Sequence, residues 1–298
     1  MTRIAYVTDL HFGHPRTAAR IESFANKMAK LPANTRAVCI TGDLFAITDK
    51  LFWDTIINGP LTAAEIKDQT SKSRELADNL SPQFFPAIPE GIAVFLVPGN
   101  ADILSYEHLA ALSSTNPDQH YINGRAMQAG SAFNLLGAGS ITPDNADAIK
   151  ILNYNPWYGG VVSPERFDQS LNGLLAQTQA WRSADWSQTI FMTHMPAFGH
   201  VDQYNGKSQG SSAVLDFLKA TRPLLHLAGH VHEGPFVNDK YAPWSIVDGQ
   251  TVSLNAGGNP RHDSEAGVRL LSIDISALTE ARGQNRLAEA AAGALIRL

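Results

Sequence analysis

Residues 3–14 read RIAYVTDLHFGH, a strand-like run followed at once by polar side chains. Its first part, Arg3–Val7, is short, apolar and partly β-branched, which predicts a buried strand. Similar runs at Ala37–Ile40 and Ile92–Val97 predict two more strands. Between them, helical periodicity over Thr17–Lys30 and over Thr62–Leu80, the latter after a Gly-Pro start signal, predicts two helices. A strand–helix–strand series of this kind predicts an α/β fold.

The second half of the chain continues with short strands and few helices. We expect helices over Pro164–Gln179 and Ser211–Ala220, and the alanine- and leucine-rich residues Ala277–Leu298 predict a terminal helix. The late strands lie close together, so we expect a second, more antiparallel sheet stacked on the first, with helices outside. Because the sequence has no repeat or linker, we expect a single domain over residues 1–298. The expected late strands are Phe133–Leu136, Thr189–Met192, Leu224–Leu227, Ser245–Val247, Val252–Leu254 and Val268–Ile273.

The composition excludes several classes of protein. Of the 298 residues, 44% are apolar and 17% charged, whereas the typical charged share is roughly 25%. This composition indicates a compact globular chain. No apolar run approaches the ~18 residues of a membrane span, and the N-terminus lacks a signal-peptide pattern, so we expect a cytoplasmic protein with no membrane partner. The net charge of −5 gives no general attraction to nucleic acid. The single cysteine, Cys39, excludes an internal disulfide and a multi-cysteine metal site.

Five short polar clusters follow predicted strands. Each would emerge from the carboxyl end of its strand, where α/β sheets place their sites. Their aspartate, histidine and asparagine donors, without a thiolate, suit two borderline divalent ions such as Mn²⁺, Fe²⁺ or Zn²⁺. In the D-x-H and H-x-H clusters, the first and third residues point to the same side if the backbone is extended, so each pair can supply two ligands. In chain order, the clusters are Asp9-Leu10-His11, Gly42-Asp43, Gly99-Asn100, Thr193-His194 and Gly229-His230-Val231-His232.

The ordered set D-x-H, G-D, G-N, a lone histidine and G-H-x-H resembles the calcineurin-like metallophosphoesterases. The resemblance runs from Asp9 to His232, about three-quarters of the chain, with all five blocks in family order. It implies a four-layer α/β sandwich in which two mixed β-sheets are flanked by helices. It also implies a phosphoester hydrolase that uses two divalent metal ions (Mn, Fe or Zn), between which a water or hydroxide attacks phosphorus.

The resemblance further implies a role for each matched residue. Asp43 matches the carboxylate that bridges the two metals. The other matched residues divide into two sets of three. Asp9, His11 and His232 match the ligands of the first metal, and Asn100, His194 and His230 match those of the second.

The third block departs from the family pattern, which is G-N-H followed by an acidic residue. Here it reads Gly99-Asn100-Ala101-Asp102, so the histidine that would protonate the leaving oxygen is absent, although Asp102 is retained. We expect Asn100, Asp102 and His194 to form the catalytic set. A general acid is typically worth ~10²–10⁴-fold, and its loss matters least for good leaving groups. His14 and His200 lie a few residues from ligand blocks and are our candidates for a substitute acid, the alternative for each being an ordinary loop histidine.

The resemblance implies a metal-dependent phosphoesterase, and the missing histidine and the absence of a basic groove favour a phosphodiesterase that acts on small phosphodiesters or nucleotide-like substrates. Two alternatives stay open: a phosphomonoesterase or nucleotide phosphohydrolase, and a non-catalytic metal-binding scaffold of the same fold. A nuclease would need a Lys/Arg cluster for phosphate contacts, and none lies near a ligand block, so a nucleic-acid partner is disfavoured. The natural substrate and the oligomeric state stay open.

Three further residues have structural interpretations. His226 lies inside the apolar run PLLHLAG and Cys39 inside AVCI, so we expect both in the core. Asn255 in the stretch SLNAGG is expected to have a structural role.

Overall fold

The computed structural model describes residues 1–13, 16–45, 55–102, 118–129, 132–143, 146–155, 160–237, 240–257 and 268–298. A short 3₁₀ helix, Phe85–Ala87, continues the longest helix, and residues 55–58 are also helical. None of the described helices is both long and apolar enough to cross a lipid bilayer. The α-helices are α1 (Thr17–Met28), α2 (Ala63–Phe84), α3 (Ala146–Tyr154), α4 (Pro164–Gln177), α5 (Ser183–Trp186), α6 (Ser212–Thr221), α7 (Ile275–Gly283) and α8 (Leu287–Ala294).

Two six-stranded mixed sheets form the centre of the molecule, with strand orders β16-β15-β1-β2-β3-β4 and β13-β14-β10-β7-β6-β5. The first sheet contains β1 (Arg3–Val7), β2 (Thr35–Thr41), β3 (Ala93–Val97), β4 (Gln119–Tyr121), β15 (Leu271–Asp274) and β16 (Leu295–Arg297). The second contains β5 (Arg125–Ala129), β6 (Phe133–Ala138), β7 (Thr189–Thr193), β10 (Leu225–Ala228), β13 (Trp244–Val247) and β14 (Thr251–Asn255). Two short ribbons pair β8 (Gln203–Tyr204) with β9 (Lys207–Ser208) and β11 (Phe236–Val237) with β12 (Lys240–Tyr241).

Each sheet is buried on both faces. Alternate side chains of a strand point to opposite sides, so each strand contributes to both buried faces. In β1, Ile4 and Tyr6 face the second sheet and join a core with Leu227 of β10. Ala5 and Val7, on the other face of the same strand, pack against a cluster that contains Phe24 of α1. This alternation explains why the strands read as nearly continuous apolar runs in the sequence.

Helices cover the outer faces and complete four layers. The capping box that Thr62 and Glu65 form at the start of α2 satisfies its first amides, and Phe84 near its end packs on the first sheet. On the far side, Phe167 of α4 and Phe217 of α6 pack against the second sheet. The predicted architecture of two mixed sheets flanked by helices is therefore confirmed, whereas the expectation of a single domain over residues 1–298 stays a prediction.

The predicted terminal helix over residues 277–298 is wrong. The segment forms two helices, α7 and α8, and then strand β16, which pairs antiparallel with β15. Asn285 has a left-handed φ of 55° just after α7, and asparagine tolerates this conformation at a helix end. The Gly283–Asn285 stop signal was hidden by the alanine-rich composition on both sides.

The second sheet is less antiparallel than expected. Its four central strands, β14, β10, β7 and β6, run parallel, and only the edge strands β13 and β5 are antiparallel. The strand expected over Val268–Ile273 forms only from Leu271 and belongs to the first sheet, antiparallel to β1. This strand follows those of the second sheet in the sequence, but it does not belong to that sheet.

Candidate metal centre

The five polar clusters lie at one edge of the two sheets. The parallel strands β1, β2 and β3 of the first sheet end just before the blocks that carry Asp9, Asp43 and Asn100. The parallel strands β7 and β10 of the second sheet end just before the blocks that carry His194 and His230. The carboxyl ends of parallel strands share an edge, so the fold brings the clusters together.

The seven candidate ligand residues form a closed ring of short contacts. On one side, Asp9 Oδ1 lies 3.3 Å from His232 Nε2, and His232 Nε2 lies 3.2 Å from His11 Nε2. His11 Nε2 is 3.8 Å from Asp43 Oδ2. These contacts join residues of the first block, the second block and the last block.

The other side of the ring closes through the asparagine of the third block. Asp43 Oδ2 lies 3.5 Å from His194 Nε2, and Asn100 Oδ1 lies 3.0 Å from both His194 Nε2 and His230 Nδ1. The backbone N–H of His230 then donates to Asp9 Oδ1 at 3.1 Å, which closes the ring. The structure therefore brings together all seven residues that the sequence places in the metal site.

The backbone of the ligand loops is not extended, contrary to our explanation of the i, i+2 spacing. Asp9, His11, Asp43 and His230 have φ values of 52°, 46°, 50° and 66°, in the left-handed region. Both D-x-H and H-x-H therefore aim two side chains at the site by sharp turns. Such residues cost of order 1–3 kcal/mol each and cluster at functional sites.

Glycine is required beside these turns because the two sheets meet there. Gly42 has a φ of 90°, and a Cβ at this position would lie 2.5 Å from His194 Nδ1. Any side chain at Gly42 would displace the histidine from the ring.

Hydrogen bonds to the backbone orient several ring residues. The Nδ1 atom of His194 lies 2.8 Å from the Thr41 carbonyl oxygen, which can only accept, so Nδ1 carries the proton and Nε2 faces the ring. Asp43 Oδ1 accepts from the Ala101 N–H at 2.7 Å, leaving Oδ2 directed at the two histidines. Arg20 of α1 donates to the Leu10 carbonyl at 2.9 Å and steadies the D-x-H loop. Sequence reasoning missed Arg20 and Thr41, since carbonyl contacts leave no motif.

The titratable groups of the ring shift one another's pKa values. Burial lowers the pKa of His194, but the carboxylates of Asp43 and Asp9 outweigh burial and raise this pKa to about 9. Burial also lowers the pKa of His232, and Asp9 again outweighs it, so the pKa is raised. Burial alone would raise the pKa of Asp9 and Asp43, yet the facing histidines hold both below their ordinary value. The site therefore favours positive charge between its groups, as protons or as metal cations.

Asp102 is retained although Ala101 stands in place of the family's histidine, and two backbone amides hold its carboxylate. It is 1% exposed, and its Oδ2 accepts from the Gly99 N–H at 2.9 Å while its Oδ1 accepts from the Phe45 N–H at 3.0 Å. Burial, with Asp43 next in size, raises its pKa to about 6. Asp102 therefore ties the Asn100 turn to the loop that carries Asp43.

The two candidate acids differ in what the structure says of them. His14 lies outside the described residues. His200 is half-buried in the loop after His194, where its Nδ1 lies 3.0 Å from Ser245 Oγ and burial lowers its pKa. The contacts described for His200 are with this edge of the second sheet and not with the seven ring residues.

The residues expected in the core are there. His226 is fully buried, with its two ring nitrogens 2.8 Å from Thr193 Oγ1 and 2.9 Å from Ser253 Oγ. Cys39 is a buried free thiol between the sheets. Both interpretations are confirmed.

The sequence model of the calcineurin-like phosphoesterases matches residues 2–234, which contain all seven ring residues. The chain belongs to this family. The family prediction made from the five blocks is therefore confirmed. A curated relative, UPF0046 protein K07C11.7 of Caenorhabditis elegans, is 27% identical over 78 residues, which cover 26% of this chain. The match spans 24%, about a quarter, of that relative's length.

Solved structures show that the fold of this phosphoesterase family member extends over most of the chain. One solved chain matches 92% of this chain and 95% of its own length, with a TM-score of 0.65 and 13% identity. TT1561 of Thermus thermophilus covers 93% and 96%, with a TM-score of 0.55 and 15% identity. GAP50, described as the anchor in the inner membrane complex of Plasmodium, covers 92% and 81%, with a TM-score of 0.50 and 14% identity. At these identities, the likeness concerns the fold alone.

Proposed function

We propose that this protein is a metal-dependent phosphodiesterase that hydrolyses small phosphodiesters or nucleotide-like substrates with two divalent ions. The observation that carries the proposal is the closed ring of seven nitrogen and oxygen donors at the strand ends. Membership of a phosphoesterase family supports the general chemistry. The preference for diesters is our own inference from Ala101 and from the charge distribution.

The ring fits metal ions on two grounds. Donors of one ion at about 2.1 Å each lie roughly 3.0–3.5 Å apart, and most ring distances, from 3.0 to 3.5 Å, fall in this range. Asp9 Oδ2 is buried without a hydrogen-bond partner among the described residues, although a buried carboxylate oxygen normally has one. Asp9 with His11 and His232, and Asp9 with Asp43 and His194, are groups whose ligand atoms all lie within 4.8 Å of one another.

The residues divide into two sets around Asp43. Asp9, His11 and His232 would hold one ion, and Asn100, His194 and His230 the other. Asp43 Oδ2 faces histidines of both sets at 3.8 and 3.5 Å, which suits a bridging carboxylate. Two ions held there would supply an activated water and neutralise charge on the phosphoryl oxygens.

The chain's own contribution is orientation and charge balance. The Thr41 carbonyl fixes the proton of His194 on Nδ1, and the Ala101 N–H turns Asp43 so that its second oxygen faces the site. Only Asp9 and Asp43 are ionised carboxylates in the ring, so two divalent cations leave a net positive site that attracts an anionic ester.

The missing acid favours substrates with good leaving groups. With alanine at position 101, protonation of the leaving oxygen falls to water or to another side chain, and we keep His14 and His200 as the candidates. His14→Ala or His200→Ala should lower turnover steeply and flatten the pH–rate profile if either residue is the acid. Unchanged profiles in both variants would remove the idea.

We propose a positioning role for Asp102, instead of the expected role in proton transfer. Its two carboxylate oxygens are engaged by the Gly99 and Phe45 amides, so the retained aspartate is explained without the histidine.

The decisive experiment compares hydrolysis of bis(4-nitrophenyl) phosphate and 4-nitrophenyl phosphate with added Mn²⁺. His194→Ala removes a ring donor, and His120→Ala is the matched control because His120 stacks on Phe95 outside the ring. Diester turnover that is lost in His194→Ala and retained in His120→Ala supports the proposal. Faster hydrolysis of the monoester would favour the phosphomonoesterase alternative.

A non-catalytic scaffold is the second candidate, and the fold likeness to GAP50, which is described as an anchor, favours keeping it. Our argument against it is that all seven donor positions are filled and in contact. Two bound ions without turnover of either ester would move the assignment toward a scaffold or a narrow specificity.

A further inference from the structure

Asn255, at the end of β14, joins two loops that carry candidate ligands. Its side chain is fully buried, and its Nδ2 lies 3.0 Å from the Val201 carbonyl, 3.4 Å from the Gly229 carbonyl and 2.9 Å from the Val231 carbonyl. Val201 belongs to the loop after His194, and the other two carbonyls belong to the G-H-x-H turn. One amide therefore ties together the segments that follow β7 and β10.

The two carbonyls of the turn lie on either side of His230. His230 has the left-handed φ of 66°, a conformation that costs of order 1–3 kcal/mol unless the surroundings enforce it. The Gly229 carbonyl belongs to the peptide unit directly before His230, and the Val231 carbonyl to the peptide unit directly before His232. Hydrogen bonds to both carbonyls therefore hold the turn at each of its two histidines. The side chain of His230 is thereby aimed at Asn100.

The turn that contains Asn255 also packs directly beneath the histidine turn. Asn255 Oδ1 accepts from the Gly257 N–H at 2.8 Å, and Gly257 has a φ of 67°. A Cβ at Gly257 would lie 2.8 Å from the His232 carbonyl oxygen and 2.5 Å from Pro235 Cγ. The stretch Asn255–Gly257 is therefore a close-fitting base under the G-H-x-H turn.

We infer that Asn255 is a positioning residue that prepares the G-H-x-H turn, which would supply His230 to one ion and His232 to the other. The inference rests on the proposed function, because it needs a two-metal site. The hydrogen bonds described for the Asn255 side chain go to backbone atoms, so it acts through the backbone of the G-H-x-H turn and of the loop after His194. In the set with Asp9 and His11 it acts only through His232, since Asp9 and His11 belong to a loop that Arg20 steadies independently.

The chain offers a matched control in Asn155. This asparagine is also fully buried, its Nδ2 donates to the carbonyls of Ile56 and Gly59 at 3.0 and 2.9 Å, and its Oδ1 accepts from the Leu61 N–H at 2.9 Å. These bonds join segments that hold no ring residue. Asn255→Ala and Asn155→Ala therefore both remove buried hydrogen bonds from a side-chain amide to backbone carbonyls. Only the bonds of Asn255 involve the G-H-x-H turn.

The experiment is a calorimetric titration of the metal-free 298-residue chain with Mn²⁺, with thermal unfolding of each metal-free variant alongside. We expect wild type and Asn155→Ala to bind two ions with similar affinities. Asn255→Ala should bind at least one of the two ions roughly 10–100-fold more weakly, as for other residues that orient metal ligands. If Asn255→Ala does not fold, Asn255→Ser, whose hydroxyl can still donate one hydrogen bond, is compared with Asn155→Ser.

The outcomes separate the inference from the proposed function. Two ions bound by Asn255→Ala with wild-type affinities would overturn the role of Asn255 and leave the two-metal site intact. Equal weakening in the Asn255 and Asn155 variants would also overturn it, because the loss would then follow general destabilisation. A wild-type protein that binds fewer than two ions would overturn the proposed function, and this inference with it.

Discussion

Asp102 offers the sharpest test of how the site is built, because its two oxygens accept from amides of two different ligand loops. Asp102→Asn keeps one acceptor and turns an NH₂ group toward the other amide, which leaves one buried N–H unsatisfied at a cost of about 1–3 kcal/mol. Asp102→Ala leaves both the Gly99 and Phe45 amides unsatisfied, for about 2–6 kcal/mol. Out of a total stability of roughly 5–15 kcal/mol, the alanine variant should be strongly weakened.

The assay is urea unfolding in the presence of EDTA, followed by the fluorescence of the five tryptophans. The free energy of unfolding should fall in the order wild type, Asp102→Asn, Asp102→Ala. Asp168→Ala, an exposed position on α4, should stay within about 0.5 kcal/mol of wild type. Wild-type stability in Asp102→Ala would refute the reasoning. So would an Asp102→Asn protein that folds normally but loses ~10²-fold or more of its turnover at saturating Mn²⁺, since that pattern indicates proton transfer.

Three further predictions concern metal, pH and helix capping. Removing metal with EDTA should abolish ester hydrolysis and lower the unfolding temperature. Adding Mn²⁺ at 100 times its Kd should raise the free energy of unfolding by about 2.7 kcal/mol per site. An unfolding temperature that does not change on Mn²⁺ addition would contradict this. Burial, with a smaller effect of His200, lowers the pKa of His226 to about 3. The unfolded chain therefore takes up this proton first, near pH 6.5, and stability falls as pH drops from there toward 3. In His226→Asn, urea unfolding in EDTA should show a shallower loss over that window, and an unchanged slope would argue against it. Thr62→Ala breaks the capping box of α2 and should cost about 0.5–2 kcal/mol without altering Mn²⁺ affinity, whereas a loss of metal binding would indicate coupling between α2 and the site.

Apolar patterns in the sequence predicted where the strands lie better than they predicted which strands pair. The runs at Arg3–Val7 and Ile92–Val97 became strands within a residue of the expected bounds, because both faces of each strand are covered. The pairing of β15 with β1 was not predictable, since it joins residues about 270 apart and leaves no local signal. The shortest strands, such as β8 and β11, are two residues long, which is too short to show an alternating pattern in the sequence.

Which residues come together at the candidate site was predictable, and their geometry was not. Five short blocks in order selected Asp9, Asp43, Asn100 and the histidines, because metal chemistry restricts the residue types. The sequence does not specify that Asp9 and His230 adopt left-handed backbones, or that the His230 amide donates to Asp9. Those features depend on how two sheets dock, which is a property of the assembled core.

The docking of the sheets explains how strained ligand turns persist. The carbonyl of Ala228, directly before the G-H-x-H block, accepts from the hydroxyls of Tyr6 and Thr41, which belong to the first sheet. The Thr41 carbonyl in turn accepts from His194 of the second sheet. These hydrogen bonds cross between the sheets at the edge where the ligands meet, so the core that folds the protein also sets the distances in the ring. Because backbone amides already hold Asp9 and Asp43, the fold itself organises the candidate ligands, and metal affinity should depend on inter-sheet contacts as well as on the donors.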